Sequence, residues 1–114
     1  MPNTPSTDLL QGTLDLLVLK VLTWGPRHGY AIARLIEERT GEALRVEEGS
    51  LYPALYRMEK KGWIESEWGT SELNRKAKFY SVTTQGRRQL QDELAQWSRF
   101  SSAVARLLRA DSHG

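Results

Sequence analysis

The stretch from Glu48 to Gly62 restricts the fold more than any other part of the sequence, because it predicts a short helix with two different faces. Leu51, Leu55 and Met58 are spaced four and three residues apart, so they share one side and can be buried together. Tyr52 lies on the flank, and the side roughly opposite carries Pro53, Tyr56, Arg57 and Lys60. A core can hold such a helix on its apolar side while tyrosines and basic groups enter a DNA groove. An ordinary amphipathic surface helix would show the same pattern, so the surrounding sequence has to decide.

The first half of the chain predicts three helices, over residues 8–23, 30–40 and 51–61. Asp8 is expected to open the first helix, and His28 is expected to cap the second. Ser50 is expected to cap the third, which would place Pro53 in the first turn, where backbone N–H groups have no intrahelical partner. Residues 43–46, between the second and third helices, are predicted to be extended.

Two further extended segments, residues 63–68 and 77–82, are joined by a loop that is longer than a tight hairpin turn. A last helix follows, with Thr83 or Thr84 as its cap. The order of elements is that of a winged helix-turn-helix, so the predicted fold class is mainly α with a small β-hairpin (α+β). The predicted boundaries are a disordered arm over 1–7, a winged-helix DNA-binding domain over 8–83, a C-terminal dimerisation helix over 84–109 and a disordered tail over 110–114.

The distribution of charge says more about a partner than the net charge of +2. Residues 74–88 contain five basic side chains and no acidic one, and such a local basic block can meet phosphates while the rest of the chain stays near neutral. In the predicted wing these candidate DNA contacts are Asn74, Arg75, Lys76 and Lys78. The implied partner is double-stranded DNA, and a solvated charged surface is the alternative.

The last helix carries a heptad pattern that predicts a packing partner. Its apolar positions recur at spacings of four and three, with one polar member: Leu90, Leu94, Trp97, Ser101, Val104 and Leu108. The first helix has a comparable stripe at Leu10, Leu14 and Leu17. A long helix at the end of a small domain has little core of its own to cover, so both stripes are predicted to form a homodimer interface. The alternative is that the last helix folds back on its own domain.

Several classes of function are excluded by composition. The chain has no cysteine, which rules out disulfides and thiolate metal sites, and its two histidines, His28 and His113, are far apart in the sequence. No residue pattern activates a nucleophile or forms a phosphate-cradling glycine-rich loop, so neither an enzyme nor a cofactor is expected. There is no basic leader segment and no uninterrupted apolar span, and a cytoplasmic protein is expected.

The sequence resembles the PadR family of bacterial transcriptional regulators over about residues 8–108. The resemblance rests on the Gly-Ser-Leu-Tyr-Pro-Ala-Leu segment at 49–55, on residues 12–19, on His-Gly-Tyr at 28–30, and on residues 78–80 and 82–83. It implies a homodimeric winged-helix repressor that dimerises through the C-terminal helix with help from the first, as in the smaller PadR subgroup. Glu72 makes the wing less basic than in some relatives, and Thr84 stands where some have proline.

Under this resemblance, particular residues take on particular roles. Ser50, Tyr52, Pro53 and Tyr56 fall on the family's recognition-helix motif, and Arg75, Lys76 and Lys78 match its basic wing. A dimer would present two such units to the half-sites of a pseudo-palindromic operator. The alternative for the tyrosines is packing on the wing or on the first helix.

Trp97 is the candidate for binding a small ligand, because some relatives bind flat drugs or phenolics at the subunit interface. A tryptophan that is simply packed in the interface is the alternative. Two other functions stay open: a winged-helix protein-interaction module that does not bind DNA, and an activator built on the same scaffold.

Overall fold

The computed structural model describes the backbone of residues 4–112 and the side chains of residues 12–112. The elements in chain order are α1 (Thr4–Leu22), β1 (Arg27–His28), α2 (Gly29–Arg39), α3 (Glu48–Lys60), β2 (Ile64–Thr70), β3 (Lys76–Val82) and α4 (Thr84–Arg109). The predicted α+β class, with three helices, a hairpin and a final helix, is confirmed.

The first helix begins earlier than predicted. α1 starts at Thr4 rather than at Asp8, so residues 4–7 of the predicted disordered arm are helical. Residues 1–3 of that arm, the side chains of Asp8 and Leu10, and residues 113–114 of the predicted tail lie outside the described residues.

The start of α3 also differs from the prediction. The helix begins at Glu48, and its N-cap is Glu47, so the prediction that Ser50 caps it is wrong and Pro53 lies inside the helix. Pro53 has no N–H to donate to the carbonyl of Gly49, but Gly49 is exposed and its carbonyl can meet water instead. The turn before the proline is already closed, since the Leu51 amide donates to the Glu47 carbonyl at 2.9 Å.

A three-stranded antiparallel sheet with the order β1-β3-β2 supports the wing. β1 was not predicted, and it pairs Arg27 with Tyr80 and His28 with Phe79. The segment 43–46 was predicted to be extended and is not a strand. A side chain of α2 accepts a hydrogen bond from this segment instead: the Val46 amide donates to a Glu37 carboxylate oxygen at 3.0 Å.

The core lies between α1, α2, α3 and the sheet. The predicted stripe on α3 is confirmed, because Leu51, Leu55 and Met58 are fully buried. They pack with these core residues from the other elements: Val18, Leu19, Leu22, Ile32, Ile36 and Ile64. Burying one side of α3 in this way leaves its other side on the surface.

The start of α4 is fixed to the end of α3 by hydrogen bonds around Thr83. The Thr83 hydroxyl donates to the Gly62 carbonyl at 2.6 Å and accepts from the Gly86 amide at 3.0 Å, so Thr83 is the helix cap. The Thr83 amide also donates to the Trp63 carbonyl at 3.0 Å. A Cβ atom on Gly86 would overlap the Trp63 carbonyl oxygen, so only glycine allows this close approach.

Candidate nucleic-acid interface

The outward face of α3 exposes most of the side chains that the sequence predicted to contact DNA. Ser50, Tyr52, Pro53 and Lys60 are exposed, and Tyr56 retains 65% of its accessible surface. The Lys60 ammonium lies 5.5 Å from the centre of the Tyr56 ring, within reach of a cation–π interaction. This face therefore combines aromatic rings, hydroxyl groups and positive charge.

Tyr52 is held against the start of α2. A Cβ atom on Gly29 would lie 2.5 Å from the Tyr52 hydroxyl oxygen, so the absence of a side chain at Gly29 makes room for the tyrosine. Tyr80 of β3 lies on the same side: burial raises the pKa of its hydroxyl, and Glu59 and Tyr52 raise it further. Tyr52 thus packs on α2 and at the same time keeps part of its ring at the surface.

Arg57 differs from the other outward residues of α3. Its Nη2 donates to Oδ1 of Asp15 on α1 at 2.6 Å, and the side chains of Arg57 and Asp15 are 28% and 9% exposed. Burial raises the pKa of the Asp15 carboxyl above its usual range, and the Arg57 guanidinium and Lys61 oppose that shift only in part. Arg57, which was predicted with Lys60 as a DNA contact, is therefore also the partner that a carboxylate buried on α1 requires.

The tip of the wing is the loop of residues 71–75, which is closed by backbone hydrogen bonds and presents basic side chains. The Asn74 amide donates to the Ser71 carbonyl and the Ser71 amide donates to the Arg75 carbonyl, each at 2.8 Å. Asn74 has a φ of 61°, a left-handed conformation that asparagine tolerates better than most residues. Arg75 and Lys76 are exposed, and Lys78 is half-buried.

His28 connects the wing to the start of α2. Its Nδ1 accepts from the Ala31 amide at 3.3 Å, which confirms the prediction that it caps α2. Its Nε2 lies 3.6 Å from a carboxylate oxygen of Glu72, and its ring meets the Phe79 ring edge-on at 5.4 Å. A backbone hydrogen bond at Glu72 and the nearby His28 lower the pKa of the Glu72 carboxyl.

A cleft of about 870 Å³ separates the wing from α2 and α3 and brings the two halves of the predicted site together. Predicted residues from both halves line it: Tyr52, Arg75, Lys76 and Lys78. Residues that sequence reasoning did not assign to the site also line it: His28, Tyr30, Trp68, Glu72, Leu73 and Tyr80. The positions of His28 and Tyr30 depend on the pairing of β1 with β3, and a two-residue strand leaves no periodic signal in the sequence.

The predicted dimerisation residues fall into two groups. Leu94, Trp97, Val104 and Leu108 are exposed, Ser101 is half-buried, and Leu14 and Leu17 are half-buried against the core. Leu90 is only 5% exposed and packs in the chain's own core, so it is not available to a partner and we remove it from the predicted interface. The sequence did not separate these groups because the heptad continues through the point where α4 leaves the domain.

Trp97 lies in a groove of about 310 Å³ between α1 and α4. Its ring centre is 6.2 Å from that of Phe100, and Gly12, Thr13 and Leu16 of α1 form the opposite wall. In the part of the chain that the structure describes, no group of acidic or histidine side chains is arranged to hold a metal ion. No described helix is both long enough and apolar enough to cross a membrane.

Residues 18–92 match the model of the transcriptional regulator PadR-like family. The chain belongs to the PadR-like family. Its members are transcriptional regulators and not enzymes, so the protein is a DNA-binding regulator with a winged-helix fold. It is 30% identical over 98 residues to a protein of Lysinibacillus sphaericus. The matched region covers 86% of this chain and 90% of that protein.

Solved structures agree with this assignment. A transcriptional regulator from Clostridium thermocellum superposes with a TM-score of 0.81 at 27% identity, covering 90% of this chain and 99% of the other. A PadR-like transcriptional regulator from Bacillus cereus gives a TM-score of 0.75 at 31% identity, covering 91% of this chain and 99% of the other.

Proposed function

We propose that this PadR-like regulator is a cytoplasmic, homodimeric repressor that reads a pseudo-palindromic operator with α3 and the wing of each subunit. The observation that carries the proposal is the shared cleft, which Tyr52 of α3 lines together with Arg75 and Lys76 of the wing. The recognition helix and the basic wing therefore border one surface, and a single duplex can meet both.

The side chains of α3 and of the wing suit different parts of the duplex: those of α3 suit the bases, and those of the wing suit the DNA backbone. The major groove is about 12 Å wide and admits a helix, so the outward face of α3 is assigned to base edges through Ser50, Tyr52, Pro53 and Tyr56. Lys60 stands beside Tyr56 and is assigned to phosphates together with Asn74, Arg75, Lys76 and Lys78 of the wing. The wing is free to do this because Arg75 and Lys76 form no ion pair among residues 12–112.

A second copy of the chain is assigned to the exposed apolar face of α4. Soluble monomers rarely leave a long row of leucines and aromatics uncovered, and this row continues to the end of the helix at Leu107 and Leu108. A two-fold dimer would set the two copies of α3 about 34–36 Å apart, the spacing of successive major grooves on one side of a duplex.

The groove beside Trp97 is assigned to a small planar ligand that relieves repression. Two aromatic rings, Trp97 and Phe100, flank a space of about 310 Å³, which is at the lower end of the size range of ligand sites. A second subunit packed on α4 would enclose this groove further.

The experiment that tests the proposal is selection of bound duplexes from a random pool, followed by anisotropy titration of the selected duplex and a random duplex over a range of salt concentrations. We expect a selected sequence with two-fold symmetry and a steep fall of affinity with salt, because each phosphate contact releases a counterion. Enrichment of no sequence, or binding that ignores salt, would contradict the proposal and favour a protein-interaction module.

A further inference from the structure

The ion pair between Asp15 and Arg57 joins α1 to the helix that is assigned to DNA. The Nη2–Oδ1 distance of 2.6 Å is that of a strong charge-assisted hydrogen bond. Asp15 is almost entirely buried, whereas 28% of the Arg57 side chain remains exposed. The carboxylate therefore holds the guanidinium from the protein side, while part of the Arg57 side chain still faces solvent.

Arg57 lies at the edge of the outward face of α3. With about 100° between successive residues, Arg57 lies about 40° around the helix from Pro53, which is at the centre of the exposed face. Within residues 12–112 the bond to Asp15 is the one hydrogen bond of the Arg57 side chain, so other guanidinium N–H groups remain for an outside acceptor. A phosphate oxygen is the acceptor that this planar fork suits best.

We propose that Asp15 is a positioning residue for DNA binding: it holds Arg57 at the α1 edge of α3 so that the remaining guanidinium N–H groups donate to a backbone phosphate. The inference rests on the proposed function. An arginine held in place before binding loses less side-chain entropy when the duplex arrives, and its fork already faces the phosphate.

The inference predicts an effect opposite in sign to that of simple charge. Asp15→Asn removes one negative charge, which by electrostatics alone would strengthen binding to polyanionic DNA. The amide remains able to accept from Nη2, but the bond loses its charge assistance and holds Arg57 less firmly. If Asp15 positions Arg57, Asp15→Asn should therefore bind DNA more weakly than the wild type, although the variant is more positively charged.

The test is an anisotropy titration of a duplex selected by the wild-type protein, over a range of salt concentrations, with Asp15→Asn, Arg57→Met and the double variant. We expect Asp15→Asn to bind about two- to tenfold more weakly, the effect of mobilising one long side chain. Arg57→Met should bind more weakly still and flatten the salt slope by about one unit. In the Arg57→Met background, Asp15→Asn should no longer weaken binding, because only the effect of the removed negative charge remains.

Asp92→Asn is the matched control, because it makes the same charge change at an exposed position of α4 and should bind at least as well as the wild type. Thermal melting checks that each variant is folded. If Asp15→Asn does not fold, Arg57→Lys replaces it: the charge stays, the fork is lost, and the same two- to tenfold weakening is expected.

A readout without DNA separates positioning from general stability. ¹⁵N relaxation of the Arg57 side chain should show an ordered guanidinium in the wild type and a more mobile one in Asp15→Asn. Equal or tighter DNA binding by Asp15→Asn, or unchanged Arg57 mobility, overturns this inference and leaves the proposed function standing. A wild-type protein that enriches no duplex overturns both.

Discussion

The outward faces of α3 and of the second half of α4 are both exposed helical surfaces, yet their side chains differ in kind. Tyrosine, proline, serine and lysine side chains are exposed on the outward face of α3, where they present hydroxyl groups and positive charge beside apolar surface. The exposed large apolar groups of α4 are Leu94, Trp97, Phe100, Val104, Leu107 and Leu108. The first set suits a wet, charged partner and the second suits a dry protein surface. The degree of exposure alone does not reveal this, because Tyr56 at 65% and Leu107 at 74% are nearly equal.

A charge placed in the apolar face of α4 should change the molecule most. Val104→Asp places a carboxylate in the proposed interface, where an unpaired charge is destabilising by several kcal/mol, so the dimer should dissociate at micromolar concentrations. Sedimentation equilibrium measures the mass. Ser102→Asp is the control, since Ser102 is exposed on the same helix but lies outside the heptad. An unchanged mass for Val104→Asp would mean that α4 is not the dimer surface.

The next largest effect concerns the contact between the start of α4 and the segment that follows α3. Gly86→Ala should lower the free energy of unfolding by about 1–3 kcal/mol, because the new Cβ would overlap the Trp63 carbonyl oxygen and force the backbone apart. Denaturant titration measures it. Gly49→Ala is the matched control: nothing lies within 4 Å of its Cβ position, and alanine favours the helix by about 0.5–1 kcal/mol. Equal results from the two variants would contradict this close contact.

Substitutions on the proposed DNA-binding surface should separate base contacts from phosphate contacts. Tyr56→Ala should reduce the ratio of selected-duplex to random-duplex affinity by about tenfold, the effect of one lost base contact. Arg75→Ala should instead weaken binding to all sequences alike and flatten the salt slope by about one unit. Anisotropy titrations of both duplexes measure both quantities. If the two variants changed the ratio and the slope equally, the division between base and phosphate contacts would be wrong.

The smallest effect concerns the stability of folding and its dependence on pH. The pKa of Asp15 is raised in the folded state, mainly by burial, so the folded state binds this proton more tightly than the unfolded state does. The resulting stabilisation is complete below the unfolded value near 3.8 and is lost as the pH rises through the raised folded value. Relative to Asp15→Asn, the wild type should therefore lose stability across that window, as measured by denaturant titration at each pH. A gain over the same window would show that the ion pair outweighs burial.

Sequence periodicity was enough to predict the buried side of α3 and the hairpin that follows, because both depend on local spacing. It did not predict the partner of Arg57, since Asp15 lies 42 residues away along the chain and only the packing of α1 on α3 brings them together. It also misplaced Leu90, because a heptad has the same spacing whether its residues face the chain's own core or a second chain. Tertiary packing, which spacing does not encode, decides both cases.

The hydrogen bonds of Thr83 and the absence of a side chain at Gly86 hold the end of α3 and the start of α4 in close contact. α4 is the longer of the two connected helices: its 26 residues, at about 1.5 Å each, extend over about 39 Å. When α3 and α4 rotate together as one rigid body, a displacement of about 2 Å at the far end of α4 rotates α3 by only about 3°. A movement at the far end of α4 would therefore change the orientation of α3 only slightly.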